Sequence, residues 1–368
     1  MTSESKFLLA TLQRGGHVAP ASIDWQALLE LADSHGVLPI FCKKYSSELP
    51  ETFVSRVRSQ WIAAAFLTSE LEGLLEQFRI HGLEVLPLKG PLLAQALYGS
   101  PCLRSSDDLD LLVQRRDFNK ARSLLIDLGF EPVYQADDYH QTFQRRNTCI
   151  ELHFSVAAPA SPSMDLDRAW DRARVVVFRQ QKTRFFSNPD LLIYLIIHGV
   201  KHEFARLVWV LDVARALADL SDEDLNEVFK VAKALGIEGA FLTSCELARY
   251  SSETVLPTQV AAAIARQPVI SAQAHVLWER IVTGPANPQT AHQGASLFVR
   301  LEPDARSRWT QRMRCFRPSQ QDHLWAQQHN INTRSILLLR PVRLLSKHGP
   351  GSAWRILFPR LEAKPPIS

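Results

Sequence analysis

Hydrophobic and polar residues follow two different periods along the chain. Apolar residues recur every three to four positions in segments such as IDWQALLELADSHGV (23–37) and SDEDLNEVFKVAKALG (221–236), a spacing typical of amphipathic helices. Short apolar runs bounded by glycine or charged residues occupy much of the stretch between about 84 and 156, and this pattern is typical of strands. The chain therefore predicts an α+β fold, with strands between two helical regions.

Cap residues place helices around the first predicted strand. Ser22 and Asp24 are N-cap candidates for the helix near the N-terminus. A second helix is predicted from about Trp61 to Gly82, because glycine readily adopts the left-handed conformation that ends a helix. The run EVLPLKG then predicts a buried strand and a turn, and Pro91 fits the first turn of the helix PLLAQALYG. Strand, glycine turn and helix follow one another in that order.

Two later strands carry their acidic residues on a single face. In DLDLLV (108–113), the period of two places Asp108 and Asp110 on the same side. In TCIELHFSV (148–156), Glu151 lies on the polar side, opposite the apolar residues that alternate with it. If the two strands join one sheet, the three carboxylates share one face.

Three carboxylates at close quarters point to divalent cations. Like charges raise one another's pKa, and a buried carboxylate is costly unless a cation compensates it. Oxygen ligands suit Mg²⁺, with Mn²⁺ as an alternative. A pair of such ions can activate an attacking hydroxyl and stabilise the oxygens of an in-line phosphoryl displacement. Asp108, Asp110 and Glu151 are therefore predicted to be catalytic residues and the ligands of two ions.

The same segments resemble a known family. LKGPLLAQALYG, RSSDDLDLLV, IELHF and LLIYLIIHGVKHEFARLVWVLDVARAL resemble the bacterial family often called NTP-transferase 5, within the nucleotidyltransferase superfamily related to DNA polymerase beta. The resemblance covers roughly residues 60 to 220. It implies a polymerase-beta-like core, which is a mixed sheet with helices. It also implies Mg²⁺-dependent transfer of a nucleoside monophosphate from an NTP to an acceptor hydroxyl or phosphate, with release of pyrophosphate. Lys89 and Gly90 would then receive the β- and γ-phosphates.

The turn at Gly90 departs from the pattern of this superfamily. The superfamily usually has Gly-Gly or Gly-Ser in this turn, whereas here Pro91 follows and removes one phosphate-binding N–H. Lys89 can supply a charge instead, and the helix N-terminus still offers backbone amides to an anion. Arg104 either binds a phosphate or forms an ion pair that steadies the acidic strand, and the sequence favours neither.

Three histidines are further candidates for the site. His153 shares its strand face with Glu151 and either orients a metal-bound water or lines the cleft. His198 and His202 are one helical turn apart, and they either contact the nucleotide or lie at the polar edge of an amphipathic helix. A metal site of their own is disfavoured, since no third ligand follows at a recognisable spacing.

Four regions are expected along the 368 residues. They are an N-terminal helical region, the catalytic core, a helical domain that completes the cleft, and a basic C-terminal extension, at 1–60, 61–160, 161–285 and 286–368. The loop-forming run AAPASPSM marks the second boundary. The stretch from there to about residue 285 is predicted to be mostly helical, with Asn188 and Ser221 as N-caps and Asp224 completing a capping-box variant.

Charge is spread unevenly, and this bears on partners. From Arg300 onward thirteen Lys/Arg stand against four Asp/Glu, whereas the whole chain carries a net +4. The extension either binds an anionic partner, such as nucleic acid, a membrane surface or an acidic protein, or packs on the acidic part of the chain. Five scattered cysteines without a metal-type spacing indicate reduced thiols. With no leader pattern and no long apolar stretch, a cytoplasmic protein is expected.

Three functions are compatible with these patterns. The first is an Mg²⁺-dependent nucleotidyltransferase that acts on an unspecified small-molecule, peptide or RNA acceptor. The second is a catalytically inactive module of a biosynthetic cluster that binds a nucleotide, and the Gly90-Pro91 turn favours it. The third is transfer to RNA or tRNA, which needs the basic extension to border the cleft. The sequence contains no P-loop or nucleophile-elbow motif, and the three retained carboxylates favour the first function.

Overall fold

A computed structural model describes residues 1–15, 18–45, 47–133, 139–159, 161–252, 254–286, 297–314, 317–328 and 332. These residues form helices toward both ends of the chain and a sheet between them. One continuous hydrophobic core joins the N-terminal helices, the apolar side of the sheet and the C-terminal helices. The predicted α+β fold is confirmed.

The described part of the chain contributes five short strands to the central sheet: β1 (Leu86–Pro87), β2 (Leu109–Leu112), β3 (Glu131–Pro132), β4 (His140–Arg145) and β5 (Thr148–His153). Their order across the sheet is β1-β2-β5-β4-β3. Strands β2 and β5 run parallel, and the other neighbouring pairs are antiparallel. The sheet is therefore mixed, as the resemblance implied, and its two acidic strands are direct neighbours.

Strand alternation sends the apolar residues of β2 and β5 into the core. Leu109, Leu111, Ile150 and Leu152 are fully buried, and burying a side chain of this size is worth about 1.5–3 kcal/mol. A slip of one residue would turn all four toward the opposite side of the sheet. The apolar positions thus fix the register that determines where the acidic residues lie.

In the described ranges before the sheet, four helices are present: α1 (Ser3–Arg14), α2 (Trp25–Ser34), α3 (Leu38–Lys44) and α4 (Glu51–Ile80). The carboxylate of Asp24 accepts hydrogen bonds from the first N–H groups of α2, as predicted for its N-cap. Helix α4 begins at Glu51 and not near Trp61, because no glycine or proline interrupts the helix between these two residues. The expected boundary between residues 60 and 61 therefore falls inside a continuous helix, and the division into four regions stays a prediction.

Shorter elements follow the first strand. Helix α5 (Gly90–Tyr98) begins at the predicted glycine turn, and α6 (Phe118–Asp127) lies between β2 and β3. Helix α7 (Leu166–Arg172) leads into an antiparallel hairpin of β6 (Arg174–Phe178) and β7 (Gln181–Phe185). The stretch from 161 to 285 is mostly helical, as predicted, but the prediction did not include this hairpin. Its three consecutive valines favour strand, because β-branched side chains pack well on a pleated surface.

Among the described residues, six helices lie between the hairpin and residue 286: α8 (Asn188–Lys201), α9 (Leu207–Ala218), α10 (Asp222–Ala234), α11 (Glu238–Ser251), α12 (Thr258–Ala265) and α13 (Pro268–Val282). The predicted cap at Ser221 is confirmed, since its hydroxyl accepts from the N–H of Asp224 at 3.1 Å and donates to that carboxylate at 2.8 Å. The N-cap of α8 is Ser187, and Asn188 is the first helical residue.

Part of the basic extension is described. Leu297, Phe298 and Leu301 are buried in the core, and helices span Ala305–Arg314 and Gln320–Gln328. Residues 333–368, which carry most of the predicted anion-binding segment, lie outside the described residues. The described cysteines are free thiols, in agreement with the sequence analysis. No helix in the described ranges combines the length and apolarity needed to cross a membrane.

Candidate active site

The parallel pair of acidic strands brings two carboxylates side by side. Asp110 on β2 stands directly opposite Glu151 on β5, and residues opposite one another in a ladder project to the same side of the sheet. Asp110 is only 2% exposed, whereas Glu151 is half-buried. A buried carboxylate beside a second one needs nearby positive charge.

Lysine and histidine side chains supply that charge. Lys89 Nζ lies 3.0 Å from Asp110 Oδ2. His153 Nε2 lies 3.0 Å from Asp110 Oδ1 and 3.2 Å from Glu151 Oε2. The ring of His140 stacks on that of His153, with 5.1 Å between the ring centroids. The acidic face is the name used here for Asp108, Asp110, Glu151 and His153.

The charges of the acidic face are strongly coupled. Burial by itself raises the pKa of Asp110, but the Lys89 ammonium and the His153 ring outweigh burial and hold that pKa well below its usual range. Burial likewise raises the pKa of Glu151, and the hydrogen bond from His153 brings about a net decrease. Repulsion from Asp110, together with burial, raises the pKa of Asp108 to about 7. One of the three carboxyl groups is thus partly protonated near neutral pH.

The Lys89–Gly90 turn touches the beginning of the acidic strand. Gly90 has φ +70°, in the left-handed region that glycine adopts without strain. A Cβ built on it would lie 3.6 Å from the backbone oxygen of Asp108. Helix α5 starts at this turn with no side-chain cap, so its first backbone amides are available to an anion.

A cavity of about 380 Å³ opens over the acidic face. Tyr139 and Tyr194 also line it, and its size is within the range of small-molecule sites, about 300–1,000 Å³. A further side of the cavity is formed by the end of α8, the turn that follows it and the start of α9. The helical wall is the name used here for the five residues that line this side: His198, Lys201, His202, Arg206 and Trp209.

His198 and His202 pack against Trp209 within this wall. Their ring centroids are 4.7 Å apart and lie 5.4 and 5.2 Å from that of Trp209. Burial, reinforced by nearby cations, lowers the pKa of both histidines, to about 3 for His202. Both rings are therefore neutral at neutral pH, and they offer stacking surface and hydrogen bonds but no charge. Their predicted contact with a nucleotide stays a prediction.

Arg104 forms a buried ion pair. Its Nε lies 2.9 Å from Oδ2 of Asp212 on α9, and the Tyr98 hydroxyl donates to the same carboxylate at 2.8 Å. Of the two roles that the sequence left open for Arg104, the structure shows the ion pair, but its partner is on a helix and not on the acidic strand. Arg104 also lines the cavity, so the ion pair links the segment before β2 to α9, which carries Trp209 of the helical wall.

Several residues that the fold brings to the site were not predicted from the sequence: Tyr139, Lys201, Arg206 and Trp209, which line the cavity, and His140, which stacks on His153. His140 stands opposite His153 in the β4–β5 ladder, and the alternating run HQTFQR could have identified β4 as a strand. The residues on α8 and α9 gave no signal, because only the packing of these helices over the sheet brings them to the site.

The acidic face fits a divalent cation. Asp110, Glu151 and His153 each offer a ligand atom, and these atoms lie within 4.8 Å of one another. Asp108 is outside this group but near enough for Asp110 to raise its pKa. A divalent cation would relieve this repulsion, which lysine and histidine only partly compensate in the structure.

Clustered carboxylates on a mixed sheet, beside a glycine turn that opens a helix, fit a site of the nucleotidyltransferase class. The sequence supports the same class, since the family described as uncharacterised nucleotidyltransferase matches residues 21–251. The chain belongs to this family, and the resemblance stated from its motifs is confirmed. The matched segment contains both the acidic face and the helical wall. None of the curated proteins gives a significant match to the chain.

Three solved structures are similar to part of the chain. The antibiotic-resistance factor ANT(2'')-Ia in solution is 12% identical, with a TM-score of 0.38, over 46% of this chain and 92% of that protein. The crystal structure of ANT(2'')-Ia in complex with adenylyl-2''-tobramycin gives 13% identity and a TM-score of 0.37, over 46% and 97% of the two chains. An antigenic nucleotidyltransferase-like protein from Paracoccidioides brasiliensis gives 17% identity and a TM-score of 0.32, over 48% of this chain and 91% of that protein. Family membership rests on the sequence match and not on these similarities.

Proposed function

We propose that this protein is an Mg²⁺-dependent nucleotidyltransferase, which moves a nucleoside monophosphate from an NTP to an acceptor hydroxyl or phosphate and releases pyrophosphate. The register of β2 and β5 carries the proposal, since it sets Asp110 against Glu151 on the floor of a cavity. Membership of the family supports the general class of reaction. Carboxylates crowded in this way gain little for stability alone, so a metal-binding role explains them better. The proposal places the protein in the cytoplasm, where NTPs and Mg²⁺ are abundant.

The acidic face provides the metal ligands in this proposal. Asp108 and Asp110 are assigned to both ions, and Glu151 to the ion on the side of the nucleophile. Bound Mg²⁺ supplies charge stabilisation to the transferring phosphoryl group and lowers the pKa of the attacking hydroxyl. His153 holds Asp110 and Glu151 in a common orientation through its Nε2 atom, at 3.0 and 3.2 Å.

The Lys89–Gly90 turn is assigned to the triphosphate. The backbone amides at the start of α5 lie at the positive end of the helix dipole, which favours binding of an anion. Pro91 removes one of these donors, and the Lys89 ammonium, 3.0 Å from Asp110 Oδ2, lies close enough to the acidic face to bind a phosphate oxygen there. The helical wall covers the nucleotide and limits access of water, which strengthens each of these charge interactions.

Titration of NTPs tests the proposal. ATP, CTP, GTP and UTP, each with MgCl2, are titrated into the wild type, Asp110→Asn and Asp107→Asn by calorimetry. We expect Mg²⁺-dependent binding that weakens about 100-fold or more in Asp110→Asn, because that variant loses a metal ligand. Asp107→Asn makes the same change of charge at an exposed neighbour that also lines the cavity, and we expect its affinity to stay within about threefold of the wild type.

Two results of this titration contradict the proposal. One is the absence of binding of any NTP to the wild type at millimolar concentration. The other is equal Mg²⁺-dependent affinity in the wild type and Asp110→Asn. If binding follows the expected pattern, α-labelled NTPs serve to screen small-molecule, peptide and RNA acceptors. If the acceptor is an RNA that binds the basic extension, its affinity should fall as the salt concentration rises, because the release of counterions contributes much of the binding free energy.

A second function, nucleotide binding without transfer, is favoured by two observations. Lys89 and His153 already neutralise Asp110 and Glu151, and Pro91 removes one amide from the phosphate turn. A nucleotide-sensing module with this site would bind an NTP equally well with EDTA and with MgCl2. The same titration therefore separates the two functions, since the transferase requires the metal.

A further inference from the structure

The cations that line the cavity differ in how they are paired. Lys89 lies 3.0 Å from Asp110, and Arg104 lies 2.9 Å from Asp212. Lys201 and Arg206 also line the cavity, yet neither forms an ion pair with any carboxylate in the described ranges. Unpaired cations facing a partly enclosed cavity are positioned to bind an anionic ligand.

The contacts of these two cations leave donor capacity unused. Lys201 Nζ donates to the Tyr139 hydroxyl at 3.0 Å, and its other two N–H groups make no hydrogen bond within the described residues. The guanidinium of Arg206 lies 5.8 Å from the ring centroid of Trp209. Its buried Nε has no hydrogen-bond acceptor in the part of the chain that the structure describes. An unsatisfied buried donor is unfavourable, and the rest of the Arg206 guanidinium also makes no side-chain hydrogen bond to the described residues, so its charge is available to a ligand.

The other three residues of the helical wall are uncharged, but they strengthen the attraction of Lys201 and Arg206 for an anion. Burial keeps His198 and His202 neutral, since it lowers the pKa of both. Together with Trp209 they form a weakly polar surface, on which charge interactions are stronger than in water. The carboxylates of the acidic face line the same cavity, so an anion bound at the wall and cations bound at the acidic face would attract one another.

The turn that separates Lys201 from Arg206 is held in a defined conformation. Glu203 and Phe204 have φ of 53° and 49°, a region that side-chain-bearing residues rarely adopt. The Glu203 carboxylate lies 2.7 Å from Arg280 and 2.8 Å from Arg300. Both arginines lie beyond the family match at 21–251. The C-terminal part of the chain therefore fixes the wall in advance of ligand binding, which favours affinity.

We propose that Lys201 and Arg206 form an anion subsite on the helical wall, which binds a phosphate group. The group belongs either to the triphosphate of the NTP or to a phosphorylated acceptor, and this choice rests on the proposed transferase function. The subsite itself rests on the unpaired cations and does not require the metal. The subsite disfavours a cationic group directly at Lys201 and Arg206, because that group would meet two like charges.

Phosphate titration tests the subsite in the full chain. Inorganic phosphate is titrated by calorimetry into the wild type and Lys201→Gln/Arg206→Gln, first without nucleotide or metal, and then with MgCl2 and a saturating NTP analogue that is non-cleavable between the α- and β-phosphates. Lys230→Gln/Lys233→Gln is the charge-matched control, since Lys230 pairs with Glu227 at 2.5 Å and Lys233 with Glu238 at 3.6 Å, and both lysines lie on the exposed surface of α10. We expect the double variant to bind phosphate at least about tenfold more weakly than the wild type and the control. Lys201→Arg/Arg206→Lys should restore binding, which separates a charge effect from misfolding.

The titration in the presence of the NTP analogue shows which molecule carries the phosphate group that the subsite binds. If phosphate binding persists beside the analogue and depends on the two cations, the subsite serves a phosphorylated acceptor. If the analogue displaces phosphate, and its own affinity falls in the double variant, the subsite serves the triphosphate. Equal phosphate affinity and equal analogue affinity in the wild type and the double variant overturn the subsite. If the wild type binds no NTP, the proposed transferase function is contradicted. The titration of phosphate without metal still tests the subsite in that case.

Discussion

The acidic face and the helical wall enclose the same cavity, but they are built in different ways. Two neighbouring strands supply the acidic face, and the alternation of side chains along each strand sets the direction of its carboxylates. Each of its two paired carboxylates has a basic partner: Lys89 lies 3.0 Å from Asp110, and His153 lies 3.2 Å from Glu151. The wall instead comes from two helices and a turn, and its cations Lys201 and Arg206 have no carboxylate partner in the described part of the chain.

This difference shows where the site is robust and where it depends on distant contacts. The acidic face is positioned by strand pairing, which the buried apolar residues enforce from the other side of the sheet. The wall is positioned by ion pairs between residues far apart in sequence, Glu203 with Arg280 and Arg300, and Asp212 with Arg104. Mutations outside the cavity should therefore disturb the wall more readily than the acidic face.

Asp212→Asn should have the largest effect, because it cuts the connection between the two sides of the cavity. The variant leaves Arg104, which is 5% exposed, without its counter-charge. Removing one partner of a buried ion pair costs about 3–5 kcal/mol, and urea unfolding measures this loss. Asp190→Asn is the control, since its partner Arg172 is 51% exposed and the loss should be smaller, about 1–2 kcal/mol. Equal losses in the two variants would show that burial of Arg104 is not decisive.

Glu203→Gln should disturb the wall without touching the acidic face. We expect a loss of about 2 kcal/mol in the free energy of unfolding, because two arginines lose a charged partner. We also expect about tenfold weaker binding of Mg²⁺ and NTP, since the turn that sets the wall is no longer fixed. Glu246→Gln is the matched control: its side chain is 8% exposed and lies 2.9 Å from Arg249 on α11. If both variants lose NTP affinity to the same extent, the effect is one of general stability and the wall has no special role.

Gly90→Ala should act on the acidic side of the cavity through the backbone alone. A Cβ there meets neighbours at no less than 3.6 Å, so only the left-handed φ of +70° opposes the change. The cost should be about 1–2 kcal/mol of stability. Gly82→Ala is the control, because Gly82 has φ +64° and open space around it, at the end of α4. Both variants should lose similar stability by thermal unfolding, but only Gly90→Ala should lose NTP affinity. An unchanged affinity would remove the turn from the phosphate site.

The smallest expected effect is a pH dependence at Asp108. Its pKa is raised from 3.8 to about 7, first by repulsion from Asp110 and then by burial. Between about pH 4 and 7 the folded state therefore holds more protons than the unfolded chain, and the contribution of Asp108 to stability falls as pH rises. Asp108→Asn removes this group, so its Tm relative to the wild type should increase by about 2 °C from pH 5 to pH 8 without metal.

Metal and a matched variant complete the test of Asp108. Saturating MgCl2 should abolish or reverse the gain in Asp108→Asn, because bound cations relieve the repulsion in the wild type. Asp107→Asn, which alters the exposed neighbour, should show no such pH trend. A difference in Tm between Asp108→Asn and the wild type that is independent of pH would contradict the assigned coupling between Asp108 and Asp110.

Most helices and the acidic strands could be predicted, and the errors have local causes. The cap at Asp24 and the capping box at Ser221 depend on neighbouring residues only, and both are present. The hairpin β6–β7 was missed because its short apolar run resembles part of a buried helix as much as a strand. The start of α4 was placed too late because helical periodicity marks the middle of a helix better than its ends.

The sequence by itself determined the α+β class, the shared strand face of Asp110 and Glu151, and the family, because each depends on spacing along a short stretch of chain. Only the tertiary structure decided that Lys89 and His153 neutralise the carboxylates and that Arg104 pairs with Asp212. It alone brought Lys201 and Arg206 to the cavity. The physical reason is that a charge acts through space, so its partner is set by how helices pack on the sheet and not by its distance along the sequence.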